Sequence, residues 1–573
     1  MTRVVVAAGL GLGLGLGLGA CGSPRVTFPA RDPLVVDPDM QPVSVPCRPA
    51  PDKDEPNAVS CTPRDYVSPF IWDKIDNIAF ERSSRFLAVD VAGESVNANS
   101  LDEVPDSAWF TNRITKRGDR PIALGACKPE DLLPKEVPAG TWTIDRGKGD
   151  GATLGFRVKL EDLGKYMLKV DEPKQPERAS AASTIGAAIY HAVGFNTSCE
   201  QVVYVRREQF KLKPGLKVVT NLGVESPFDE ERLTATLKTA PRRGEMIRLQ
   251  ASKWLSGESL GPFRYEGTRA DDPNDVVAHE DRRELRGSKL LAAWINHWDA
   301  REQNTLDSWV AVDHEKKASS PGYVKHQIID TSDAMGQRAP QRGMAPRQGH
   351  SYLFDFRDIF FDLATLGIVH RPWDGAELVK GRERFGYFST DRFDPETWKS
   401  GYPNPAFLRM TERDAAWMAR LIARFSPEDV RSIVDSGQFS DPGDAAYLTA
   451  VLLERQRRIL ARYLTRLSPL GEVVATEDGA LCATDLARLR GVAPAASYRY
   501  DAVDVTTGTA APLAVTVEPE GQICIARPPG APTDATTEIV IRVRNGSRAG
   551  PLEIHAYPTT GSRKLRLVGL RRL

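Results

Sequence analysis

The first stretch of the chain, "MTRVVVAAGLGLGLGLGLGACGS", decides the compartment in which everything after it must fold. Arg3 precedes an apolar run that closes on Gly19 and Ala20 before Cys21, the order of a secretory signal. A spanning helix is the competing reading. Val4 to Ala20 is at the short limit for crossing a bilayer, however, and Gly-Leu alternation makes a weak helix. Export leads to an oxidising compartment. Six cysteines follow Cys21: Cys47, Cys61, Cys127, Cys199, Cys482 and Cys524. An even number in an exported chain predicts three disulfides. Cys47 with Cys61, Cys127 with Cys199 and Cys482 with Cys524 are the most local of the many possible pairings. No CxxC occurs, which argues against redox catalysis and a zinc ribbon.

Leu18-Gly19-Ala20-Cys21 resembles the lipobox of exported bacterial proteins. The resemblance implies that residues 1–21 are signal peptide and lipobox, with Cys21 the lipidated first residue, bearing palmitate-type chains. Gly22 and Ser23 follow with no Asp, which by the same resemblance implies the outer membrane. The expected partner is therefore the membrane, through an N-terminal lipid anchor. Lys plus Arg and Asp plus Glu both number 76, so no net charge favours nucleic acid.

Residues 22–65 are rich in Pro, Asp and Val without helical or strand period, which predicts a flexible tether. An N-terminal extension of mixed texture spans 66–139. Residues 140–260 read as strands with one helix, and 261–470 as mostly helical. Ser426-Pro427-Glu428-Asp429 marks a helix start, with a cap, Pro at the first position and acids in the first turn. Thr411 with Asp414 marks another. "AAYLTAVLLERQRRILARYL" (445–464) carries an amphipathic period. From 473 to 573 short strands alternate with turns, the texture of a small β-sandwich.

The candidate chemistry lies in the middle of the chain. "YMLKV" reads as a strand with Lys169 inside it, and a buried strand rarely carries Lys without a role. The bland alternative places Lys169 on a solvent face. Upstream, Gly147, Gly149 and Gly151 alternate, as in loops whose backbone N–H groups approach phosphates. A plain hairpin turn would look the same. Downstream, "INHWDAREQNTLD" places Asn304 five residues after Asp299, the spacing of a phosphoryl-transfer loop in which Asp accepts a hydroxyl proton and Asn binds Mg²⁺. "VKHQIIDTSDAMG" then ends an apolar strand on Asp330, a metal-binding position, with Asp333 as a possible further ligand. The order of these elements, Gly-rich hairpin, Lys strand, helix, strand, helix, Asp/Asn loop and Asp strand, raises the weight of each. No HExxH occurs, so zinc-hydrolase chemistry has no motif.

The strings "EVPDSAWFTNRI", "GPFRYEGTRADDPNDVVAHEDRRELRG", "AAWINHWDAREQNTLD" and "YPNPAFLRMTERDAAWMARLIARFSPEDVRSIVDSGQFSDPGDAAYLTAVLLERQRRI" resemble an uncharacterised family of bacterial exported proteins, over about residues 70–470. Its core is similar to distant protein-kinase-like and phosphoinositide-kinase-like folds. The resemblance implies an α+β chain, with a two-lobed kinase-like core whose C-lobe is mostly helical. It implies ATP and Mg²⁺ as cofactors, Lys169 on phosphates, Asp299 as base, and Asn304 and Asp330 on metal. Two departures stand out. Ser183 replaces a Glu expected in the helix after the Lys strand, and Thr331-Ser332 replaces the residues expected after the metal-binding Asp. An active phosphotransferase, a pseudokinase-like binding protein and a structural envelope lipoprotein are the three functions this allows.

Overall fold

Period-two alternation builds the first half of the ordered chain. The computed structural model describes residues 26–50, 57–87, 93–134, 138–149, 153–219, 224–315, 319–338, 345–371, 373–546 and 549–573. Cys21 and the signal-like run lie outside them. Strands β1 (Trp142–Gly147), β2 (Gly155–Leu160), β3 (Gly164–Lys169), β4 (Glu200–Val205), β5 (Phe210–Leu212), β6 (Arg242–Arg243) and β7 (Met246–Lys253) form one sheet. Its order is β6-β7-β3-β2-β1-β5, with β4 also paired to β7. Trp142, Ile144, Phe156, Tyr166, Leu168 and Leu249 form its core.

Helix α1 (Arg178–Val193) follows β3 and is buried at every residue except His191. A helix buried all round must be small or apolar all round. "RASAASTIGAAIYHAV" meets this with Ala, Ser and Gly, and the helix packs against β4 and β7 on one side and the helical body on the other. That body contains α2 (Arg283–Ile295), α3 (Phe356–Thr365), α4 (Glu412–Ile422), α5 (Pro427–Asp435) and α6 (Pro442–Tyr463). Both expected helix starts are present as reciprocal capping boxes, Thr411 with Asp414 and Ser426 with Asp429. The mostly helical stretch is interrupted by a hairpin of β8 (Thr305–Ala311) and β9 (Gly322–Ile328), which carries the chain from Asn304 to Asp330. No described helix is long and apolar enough to cross a membrane.

At the C-terminus a four-stranded and a five-stranded sheet, both antiparallel, enclose one core of Leu470, Ile523, Ile541, Ile554 and neighbours. Three disulfides join the local pairs: Cys47–Cys61, Cys127–Cys199 and Cys482–Cys524. Cys482 and Cys524 face each other in strand register.

The stretch expected as a free tether makes specific contacts over its described part. The buried Asp39 carboxylate accepts Ala108 N–H at 2.9 Å, Val36 bridges to Asp106, and the Tyr557 hydroxyl donates to Phe28 O at 2.8 Å. Its polar residues find partners far along the chain, which local period cannot register.

Candidate functional site

Lys169 ends β3 at the middle of the sheet, with Gly155 opposite it on β2 and Gln250 on β7. At Gly155 a Cβ would stand 2.3 Å from Leu168 O, so only glycine allows this backbone approach. Lys169 is buried, and its Nζ lies 2.9 Å from Asp330 Oδ2. Burial works against its charge, but Asp330 and then Glu200 outweigh that and hold its pKa above the usual Lys value. Burial would raise the Asp330 carboxyl, yet Lys169 holds it well below the ordinary range.

The Asp/Asn loop begins where α2 stops. Asn296 caps the helix in the left-handed conformation, φ 54°, and its Oδ1 accepts Trp398 Nε1–H at 2.9 Å. His297 follows, with Nδ1 3.1 Å from the Tyr190 hydroxyl. Trp298, where a kinase loop would carry Arg, is buried against Gly401. Asn304 Nδ2 donates to Asp299 O at 2.7 Å and to Asp299 Oδ2 at 3.1 Å. An amide that donates through Nδ2 turns its carbonyl oxygen away from Asp299. Arg301 Nε lies 2.9 Å from Asp299 Oδ1.

The two halves meet through the Asp330 loop. Ile329 N–H donates to Asn304 O at 3.1 Å, and Asp299 N–H donates to Asp333 Oδ2 at 2.7 Å. Asp333 Oδ1 is 3.4 Å from His297 Nε2. Arg178, the first residue of α1, donates to Ser332 O at 2.8 Å and Ala334 O at 2.9 Å. Thr331 packs on α1 at Gly186, where a Cβ would sit 2.5 Å from Thr331 Oγ1. The small face of α1 thus seats the loop.

Burial pushes the Asp299 carboxyl up to about 6, against the opposing charge of Arg301 and with help from Asp333. Burial likewise raises Asp333 to about 7 and lowers His297 to about 4, which leaves the imidazole neutral. A carboxylate near 6 is poised to take a proton at neutral pH.

Lys169, Asp299, Asn304, Asp330 and Asp333 therefore come together. The glycines do not all join them. Gly147 backs onto the sheet's own core, where a Cβ would meet Val218 and Phe228 at 2.4 and 2.7 Å, so close side-chain packing explains this glycine. Gly149 follows the end of β1, half-buried, and Gly151 lies outside the described residues. Asp333 spends Oδ2 on the Asp299 amide, which reduces its fitness as a metal ligand. Among the described residues no three His, Cys, Asp and Glu side chains are grouped to hold a metal ion. The Asn304 amide oxygen and the Asp330 carboxylate remain as hard oxygen donors, a set that suits Mg²⁺, which keeps several waters and substrate oxygens.

Sequence reading passed over Glu200. Its Oε1 accepts from the Ser198 and Ser252 hydroxyls, both at 2.6 Å, and its Oε2 accepts from Gln250 Nε2 at 2.9 Å. This buried acid, on β4 rather than α1, supplies the second negative neighbour of Lys169. At Ser183, where the resemblance implies a Glu, the hydroxyl is buried and makes no hydrogen bond within the protein. Gln250 and Ser252, polar and evenly spaced in the mostly buried β7, were the available signal. Arg178 was also missed. No family model, curated protein or solved structure matches this chain.

Proposed function

We propose that this is an envelope lipoprotein, anchored through Cys21 in the outer membrane, with an atypical kinase-like core and a Mg²⁺-dependent phosphotransferase site. In this reading the sheet unit (140–260) and the helical unit (261–470) are the two lobes, and the C-terminal pair of sheets is a β-sandwich. The observation that carries it is the meeting of Lys169 with Asp330 at 2.9 Å, next to the loop in which Asn304 holds Asp299. This meeting of residues distant in sequence supports the reading, because in phosphoryl transfer the Lys and the metal-binding Asp must serve one triphosphate.

The protein's own groups divide the work. Lys169 is positioned for phosphate oxygens once Asp330 exchanges it for a cation. Mg²⁺ on Asn304 and Asp330 would neutralise charge on the transferring group. Asp299, held by Asn304 and Arg301, accepts the proton of an acceptor hydroxyl. Arg178 and Thr331 fix the loop that carries Asp330.

The test is calorimetry of the full chain with ATP and Mg²⁺. Mg²⁺-dependent binding is expected, lost in Asp330→Ala and retained in Asp299→Ala, which should lose turnover. Absence of nucleotide and metal binding in the wild type would refute the reading. A pseudokinase-like or structural role would then stand.

A further inference from the structure

Helix α3 is amphipathic in the reverse sense. Its polar residues turn to the protein: Asp358 accepts from the Ser351 hydroxyl, Asp362 pairs with Arg371, and the capping Asp355 pairs with Lys399 at 2.5 Å. Its apolar residues turn to solvent. Phe360, Leu363 and Leu366 are 73%, 70% and 85% exposed, and no residue of the helix is buried. Scattered exposed apolar side chains are ordinary, but a contiguous set on one helix marks a surface built to be covered.

A second exposed apolar stretch lies beside it. In the helical run that begins at Phe70, Ile71 and Trp72 are 72% and 57% exposed. Lys74 Nζ of that run stands 4.4 Å from the Tyr402 ring centroid, and Gly401 O accepts Leu353 N–H at 2.8 Å. The two stretches therefore flank a single loop.

We propose that α3, with the Ile71–Trp72 turn beside it, docks this face of the protein onto a phospholipid bilayer. Three observations favour lipid over protein. First, the carboxylates of α3 are engaged with their own protein. The outward face offers few groups for the hydrogen bonds that protein interfaces carry, roughly one per 100–200 Å², and a bilayer asks for none. Second, a cavity of about 500 Å³ is lined by Phe360 and Phe361 with Arg357, Asp358, Arg371 and Lys399. Apolar rings beside cations suit a phosphodiester headgroup and its glycerol. Third, the lipid proposed at Cys21 would hold the chain at a bilayer, so this surface has one within reach. Interfacial helices sink an apolar face to the level of the acyl chains in this way. Docking does not depend on the nucleotide reading.

The experiment is co-flotation of the full chain with phosphatidylcholine vesicles. Cys21→Ala and Leu10→Asp/Leu14→Asp are introduced throughout, so that the N-terminal run cannot account for binding. Partition is expected, and Phe360→Asp/Leu363→Asp should lower it about tenfold or more, since each side chain loses an apolar transfer. Val474→Asp, at an exposed apolar position in the C-terminal region, should leave it unchanged. Raising salt roughly tenfold should change partition little, because screening acts on charges. Circular dichroism checks that each variant is folded. Absence of partition, or equal partition of the folded Phe360→Asp/Leu363→Asp variant, would overturn the proposal. A dimer dissolved by the same substitutions without vesicle binding would assign the face to a second copy instead.

Discussion

Replacing Lys169 by Met removes a charge and little volume, so it isolates the electrostatics of the site. Removing one partner of a buried ion pair costs about 3–5 kcal/mol. The Asp330 side chain is 31% exposed, and water screens that part, so about 2–3 kcal/mol is expected here. The pH dependence is the sharper signature. In the wild type the Asp330 carboxyl is depressed below 3.8, so its contribution is present above that value and lost as pH falls through the folded one. Without Lys169 only burial and the weaker Ser332 hydrogen bonds remain, and the Asp330 carboxyl should rise. Glu200, already raised by burial, should rise further as it loses its largest opposing charge. A raised acid stabilises below its unfolded pKa and loses that stability as pH climbs through the folded one. The deficit of Lys169→Met should therefore grow as pH rises, first below 3.8, where the wild type gains its Asp330 contribution, and then above it as the raised acids are forced to ionise. Urea unfolding in metal-free buffer, followed by tryptophan fluorescence, measures it. Lys169→Met/Asp330→Asn should be less destabilised than the sum of its parts by about 1–3 kcal/mol. A deficit independent of pH, or strict additivity, would refute the argument.

Further expectations rest on separate contacts. Gly186→Ala places a methyl on Thr331 and should cost about 1–3 kcal/mol; thermal melts would show it, and an unchanged midpoint would mean that α1 does not seat the Asp330 loop. If Asp299 is the base, activity should rise with pH through about 6, and Asp333→Asn should move that limb to lower pH, because Asp333 helps raise Asp299; a rate profile that stays in place would remove Asp333 from the site. Opening Cys482–Cys524 with paired Ala substitutions should cost about 2–4 kcal/mol by chain melting, and unreduced peptide mapping that finds free thiols at both positions would refute the bond itself. Cys21→Ala should move the protein from the membrane to the soluble fraction if the lipid is the main anchor, and an unaltered mass of the processed chain would exclude lipidation there.

What could be read from the sequence was local. Asn304 reaches back only five residues to Asp299, and Asp330 comes two residues after a strand that ends on Ile328, so both were visible as spacing. The capping boxes at Thr411 and Ser426 each join residues only three positions apart. Glu200 was hidden because Gln250 and Ser252 meet it only through the register of β4 on β7. Gly147 misled because alternating glycines give no sign of whether they face a ligand or, as here, Phe228. The tether reading failed for a like reason: Asp39 is an ordinary surface residue until Ala108 is folded against it. Amphipathicity would mark α3 as two-faced, but nothing in its sequence says that the polar face turns inward.

Charge and hydrogen bonding separate a binding site from a merely structural ion network. Networks that serve stability close on themselves, as Asp102 does with Arg283 and Arg572. Around the Asp/Asn loop the balance is different. Asp299 and Asp333 are adjacent acids, both raised toward neutrality by burial, with Asp330 close enough to raise Asp333 further. Asp333 Oδ1 and the Ser183 hydroxyl are buried without a hydrogen bond inside the protein. A buried polar atom left unmet costs about 1–3 kcal/mol, so each such atom beside the Lys169–Asp330 pair is a cost to the fold. Unmet buried atoms also occur in the Asp102 network, at Asp414 and Arg420, so the feature particular to the convergence of Lys169, Asp330 and Asn304 is its pair of raised acids, and that pair supports a site that a ligand completes.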